Sequence, residues 1–101
     1  MAAAEPKAKI KPKLSVKEPS KFKVIYVNDE VTSMESVVES LVSIFDYDDS
    51  SAFDVTKQIH EVGSAVVAVL PYEIAEQKGV EVTLLAREAG YPLAVKIEPD
   101  A

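Results

Sequence analysis

Asn28, Asp29 and Glu30 follow directly on an apolar run, placing one amide and two carboxylates where a preceding strand would fix their direction. His60 is the single histidine of the chain. It falls near the carboxyl end of a predicted helix, where the negative pole of the helix dipole favours a partly protonated imidazole. Taken alone, an acidic turn and a helix-end histidine are also what ordinary turns and exposed helix ends contain. Enzymatic chemistry has little to build on. There is no Gly-x-Ser-x-Gly elbow for a serine nucleophile, and no second histidine to form a metal-binding pair on one helix face. The three glycines, at 63, 79 and 90, are too scattered for a phosphate-cradling loop. The reading is therefore no enzyme, no catalytic residue, no metal and no cofactor. The competing enzyme reading, a metal-assisted hydrolase around His60, requires turnover that a chelator abolishes.

The elements that would hold these residues are legible from periodicity and caps. Phe22 to Val27 reads as a strand ending at the polar turn. Ser33 is a natural N-cap, with Ser36 in place of the Glu or Gln of a full capping box. Met34, Val37, Val38, Leu41, Val42 and Phe45 recur at helical spacing, which predicts a helix over 34–46. Asp48 to Ser51 offer caps for a second helix, on which Phe53, Thr56, Ile59 and His60 share a face, and Gly63 supplies the left-handed residue after it. Ser64 to Leu70 reads as a continuously buried strand. Pro71 then opens a third helix, with Ile74, Val80, Leu84 and Leu85 facing the core and Gly79 weakening its middle. Tyr91 to Ile97 forms the last strand. The expected fold class is α+β, with a three-stranded antiparallel sheet packed against three helices in the order βααβαβ, leaving the other sheet face open to partners.

Composition bounds the rest. A chain of 101 residues suffices for one core. It lacks Trp and has only three Phe, so the core is expected to be aliphatic. The absence of Cys excludes thiolate chemistry and fits a reducing compartment. No apolar run approaches the ~20 residues of a membrane span, and no signal-peptide core follows the early lysines, so cytoplasmic location is the expectation. The net charge of −6 is unevenly spread. Residues 1–20 carry Lys7, Lys9, Lys11, Lys13 and Lys17 against Glu5 and Glu18, broken by prolines, and are expected to be a disordered extension. Residues 21–101 form the folded domain and carry fifteen acidic against six basic groups, which argues against a nucleic-acid partner. The basic tail, in contrast, suits an anionic surface, the body it is attached to included.

The stretch Lys23 to Glu35, with Asn28-Asp29, an acid, Thr32 and Met34 in series, resembles the signature of the ClpS family, adaptors that deliver N-end-rule substrates to a Clp AAA+ protease. Ile59-His60, Gly63, Ala75-Glu76, Lys78, Ala86-Arg87-Glu88 and Tyr91-Pro92-Leu93 continue the pattern, so that the resemblance covers about residues 21–98. It implies an adaptor for proteins with bulky apolar N-terminal residues, working with a ClpA- or ClpC-type unfoldase and its ClpP peptidase. It further implies that Asn28, Asp29, Glu30 and His60 surround the substrate's α-amino group, and that Thr32, Met34, Val37, Thr56, Ile59 and Leu93 line a pocket for its first side chain. Glu73, Glu76 and Lys78 would contact the unfoldase, while the tail before Lys21 enters it. Two positions depart from the pattern: Glu30 stands where a second Asp is usual, and Thr56 where many members carry Met. A shorter, hydroxyl-bearing residue at 56 implies a wider and more polar pocket mouth. The alternative is a non-catalytic structural or ribosome-associated interaction module, which would tolerate alanine at Asp29 or His60.

Overall fold

The computed structural model describes residues 20–101; the expected disordered extension therefore lies, but for Ser20, outside the described residues. Three strands and three helices follow in the order β1 (Lys21–Val27), α1 (Met34–Phe45), α2 (Asp49–Val62), β2 (Ser64–Pro71), α3 (Tyr72–Glu88) and β3 (Ala94–Pro99). The sheet order is β2-β1-β3, and β1 pairs antiparallel with both neighbours. This is the expected α+β layout. Strand β1 is central, paired along both edges, and its side chains alternate between the two faces. Val24 and Tyr26 are buried under the helices, while Lys21, Lys23 and Ile25 point to the opposite face.

Local chemistry sets the helix ends. The Ser33 hydroxyl accepts from Ser36 N at 3.1 Å, and the Asp48 carboxylate accepts from Ser51 N at 2.7 Å, so both N-caps satisfy an otherwise orphan donor. Gly63 closes α2 at φ 111°, a conformation that disfavours any residue with a Cβ.

The core is aliphatic as expected, centred on Val24, Val37, Leu41, Ile59, Val67, Val82 and Leu93 around the single buried aromatic Tyr26. The Tyr26 hydroxyl lies 2.7 Å from Ser40 Oγ, which itself donates to Val37 O at 2.8 Å. With its one proton so used, Ser40 must accept from Tyr26. Burial raises the Tyr26 phenol well above its usual value, and the Tyr47 phenol adds to it. Tyr47 in turn donates to Val67 O at 2.7 Å, where a register irregularity opposite Val24 and Ile25 interrupts the β1–β2 ladder.

Four expectations need correction. Helix α3 turns Ala75, Gly79, Val82 and Ala86 to the core, while Ile74, Val80 and Leu84 are exposed. The reason is steric: a Cβ on Gly79 would already sit 3.5 Å from Ile97 and 3.6 Å from Val95, so only small residues allow this helix to approach β3 so closely. Gly79 is thus a packing residue more than a weak point. Strand β2 is buried on one face only, with Val66 and Val69 exposed on the other. Pro71 is the N-cap of α3 and not its first helical residue. The last strand starts at Ala94, three residues later than expected, because Tyr91 N and Gly90 N still bond back to Ala86 O and Arg87 O.

Among the described residues, no helix is long and apolar enough to cross a membrane, and no group of three His, Cys, Asp or Glu is placed to hold a metal ion.

Candidate functional site

The turn after β1 is held by its own polar groups. Asp29 Oδ1 accepts from Val31 N at 2.8 Å and Thr32 N at 2.7 Å, and its Oδ2 accepts from Thr32 Oγ1 at 2.8 Å. A carboxylate offers about four acceptor positions, so the turn consumes most of them and leaves a vacant one on Oδ2. Partial desolvation raises the Asp29 carboxyl. The bonds from Thr32 and Val31, together with the charge of Arg87, outweigh it and hold the group below its usual range.

A backbone bond ties this turn to the end of α2. Asn28 N donates to Gly63 O at 2.9 Å, and Gly63 N donates to Ile59 O at 2.9 Å. The C-terminal turn of α2, with His60 on it, is thereby anchored to the first residue of the polar turn. Asn28, Glu30 and His60 are exposed, and Asp29 is half-buried. Sequence positions 28 and 59, far apart in the chain, are thus joined through the backbone of Gly63.

The expected pocket residues divide into two groups. Val37, Thr56, Ile59 and Leu93 are buried, whereas Thr32 is half-buried and Met34 is exposed at the start of α1. The buried set belongs to the core, so any pocket here has the core as its wall. Thr56 is distinctive: it is 2% exposed, and its Oγ1 has no hydrogen-bond partner among the described residues. An unpaired buried hydroxyl costs about 1–3 kcal/mol. Its side chain is enclosed by the core.

Arg87, to which sequence reasoning gave no role, makes a structural contact here. Its Nη1 donates to Tyr91 O at 2.8 Å and Leu93 O at 3.1 Å, fixing the segment that carries Leu93. The same side chain is close enough to Asp29 to lower its proton affinity. An arginine in the last turn of a helix followed by Gly90 was the available signal.

On the other side of the molecule, Glu73 and Glu76 are exposed on α3, and Glu76 receives the Tyr72 hydroxyl at 3.3 Å. Lys78 is not a free surface cation. Its Nζ donates to Ile44 O at 2.9 Å and lies 5.8 Å from the centre of the Phe45 ring, covering the end of α1.

With this geometry in view, the relatives are informative. The family model of the ATP-dependent Clp protease adaptor protein ClpS matches residues 17–96. The chain belongs to the ClpS family. Its members are adaptors and not enzymes. The ClpS adapter of Wolinella succinogenes is 39% identical over 89 residues, spanning 88% of this chain and 87% of that one. The ClpS 2 adapter of Agrobacterium fabrum is 41% identical over 96 residues, spanning 95% and 91%. Among solved structures, Agrobacterium tumefaciens ClpS2 bound to L-phenylalaninamide superposes with a TM-score of 0.79 at 38% identity, covering 82% of this chain and 100% of that chain. These matches set aside both the hydrolase and the ribosome-associated reading.

Proposed function

We propose that Asn28, Asp29, Glu30 and His60 receive the free α-amino group of a substrate protein, and that Thr32, Met34, Val37, Thr56, Ile59 and Leu93 surround its first side chain. As a ClpS adaptor, the chain binds N-degron substrates and delivers them to a Clp AAA+ unfoldase. The carrying observation is the Asn28–Gly63 bond, which ties the acceptor-rich turn to the helix end bearing His60. The ligand of the Agrobacterium relative supports the chemistry. L-phenylalaninamide offers a free amine, a benzyl side chain and an amide in place of the next peptide bond.

Recognition follows from ordinary electrostatics. An α-amino group titrates near pH ~8 and is mainly cationic at neutrality, with three donors. The Asn28 amide oxygen, the vacant position of Asp29 and an imidazole nitrogen of His60 supply acceptors. Each charge-assisted bond contributes about 1.5–3 kcal/mol. Because Asp29 is locked by Thr32 and Val31, its remaining acceptor is oriented before the substrate arrives. Glu30 is longer than Asp and reaches the amine through water. An acylated terminus lacks the charge and leaves the acceptors unpaired. Burying a Phe or Leu side chain adds about 1.5–3 kcal/mol, and Met34 adapts its shape to different rings.

Handover uses α3, where Glu73 and Glu76 flank the exposed Ile74; Lys78 contributes by holding the end of α1 as well as by its charge. A ClpA- or ClpC-type unfoldase with ClpP, acting in the cytoplasm, is the partner this reading requires. The basic segment before Lys21 enters that machine.

Fluorescence anisotropy with a Phe-initiated peptide and its N-acetylated copy tests the reading. Tight binding of the free form alone is expected, and equal or absent binding rejects it. Affinities for Phe, Leu, Trp, Tyr, Ile and Val termini, measured before and after Thr56→Met, test the specificity; unchanged profiles show that residue 56 does not set it.

A further inference from the structure

The stretch between α3 and β3 is tied down by one side chain. The last helix-type bond runs from Tyr91 N to Ala86 O at 2.9 Å, and the first pair of the β1–β3 ladder sets Ala94 opposite Val27. Between them, Pro92 has no N–H to donate. Among the described residues, both side-chain hydrogen bonds to this stretch come from Arg87, whose Nη1 donates to Tyr91 O at 2.8 Å and to Leu93 O at 3.1 Å. A guanidinium nitrogen of this kind carries two N–H groups in fixed directions within one plane. One nitrogen can therefore hold two carbonyls at a set separation.

The residue placed in this way is Leu93, which is 2% exposed and belongs to the core cluster. Arg87 itself is exposed, on the last turn of α3. We propose that Arg87 is a positioning residue for substrate recognition: by holding the carbonyls of Tyr91 and Leu93, it sets how far the Leu93 side chain stands into the pocket for the substrate's first residue. This rests on the reading of Leu93 as a wall of that pocket. The charge of the same guanidinium also reaches Asp29, so Arg87 lies near both parts of the site, the amine acceptors and the apolar wall.

The two influences of Arg87 have separable signatures. A wall contributes in proportion to the apolar area it covers, so a displaced Leu93 weakens long side chains such as Trp and Phe more than short Val. Removing the positive charge acts on the cationic amine, which every substrate shares, and favours all first residues alike. A loss confined to the large side chains therefore isolates the positioning role.

The test uses the full chain and anisotropy with free peptides beginning in Trp, Phe, Leu and Val, for the wild type, Arg87→Met and Arg87→Lys. Met and Lys match Arg in helix propensity, so α3 is preserved. Arg87→Met is expected to weaken Trp- and Phe-initiated peptides by about fivefold to tenfold, the loss of two hydrogen bonds, and Val-initiated ones by less than about twofold. Arg87→Lys, with donors on a flexible stem, should recover part of the loss. An equal loss for all four peptides, or none, overturns the proposal, as does a lysine variant no better than the methionine one. Amide spectra check that each variant is folded, and Arg87→Gln, which keeps one donor group without the charge, replaces Arg87→Met if that variant does not fold. Failure of the wild type to bind the Phe-initiated peptide would instead reject the pocket itself, and the proposal with it.

Discussion

The α2 end and the face of α3 are built on opposite plans. At the α2 end, apolar side chains are buried and polar groups face outward: Ile59 and Thr56 belong to the core, while His60 and the Asn28 turn lie at the surface. On α3 the large apolar residues Ile74, Val80 and Leu84 face solvent, and small ones, Ala75, Gly79 and Ala86, face the sheet. The first plan suits a small charged group beside one side chain, which needs oriented acceptors and a solid wall. The second suits a broad protein surface, which needs exposed apolar area more than hydrogen-bond geometry. One small domain thus offers two different kinds of contact, separated by its own core.

The sharpest way to break this contrast is to truncate one residue of each plan. Ile59→Ala should lower unfolding free energy by about 2–5 kcal/mol, whereas Leu84→Ala should change it by no more than about 0.5 kcal/mol. Denaturant titration of both variants decides, and comparable losses would show that α3 is not an open face. Next in size are the polar groups. His60→Ala or Asn28→Ala should weaken binding of a Phe-initiated peptide by about 1.5–3 kcal/mol, a tenfold loss or more, in anisotropy measurements. Leu84→Asp should leave that affinity unchanged and reduce unfoldase binding instead.

A smaller effect concerns the hydroxyl inside the wall. Thr56→Val keeps the shape and removes the unpaired Oγ1, and should raise stability by about 1 kcal/mol, read as a higher denaturation midpoint. The smallest effect is acidic. The Asp29 carboxyl is depressed in the fold, so its contribution is present above the unfolded value of ~3.9 and fades as pH falls through the folded value. Asp29→Asn should therefore flatten the acid limb of a melting-temperature profile below about pH 4, with little change at neutrality beyond the turn's own weakening. An unaltered acid limb would mean that the turn bonds of Asp29 do not persist in solution.

Much of this plan was legible before any coordinates. The caps Ser33, Asp48 and Gly63 act within a few residues of themselves, and a local interaction leaves a local signal. The candidate site residues could be named because the stretch from Lys23 to Glu35 and the later positions resemble the ClpS pattern. Their grouping through Asn28 and Gly63 could not be read, because a backbone bond between distant residues has no side-chain signature. The faces of α3 were misjudged for a related reason. Hydropathy favours Ile, Val and Leu as core residues, but at position 79 the approach to Ile97 and Val95 leaves room only for a small residue.

The sequence by itself determined the element order, the aliphatic core, the caps of α1 and α2 and the division between a basic tail and an acidic body, since these depend on residue type and short-range spacing. Tertiary structure alone decided that α3 shows its large apolar residues to solvent, that Lys78 caps α1, that Arg87 fixes the segment of Leu93, and that Thr56 is buried with its hydroxyl unpaired. Each of those outcomes depends on how closely two distant backbones approach, and that distance is set by packing the whole domain at once.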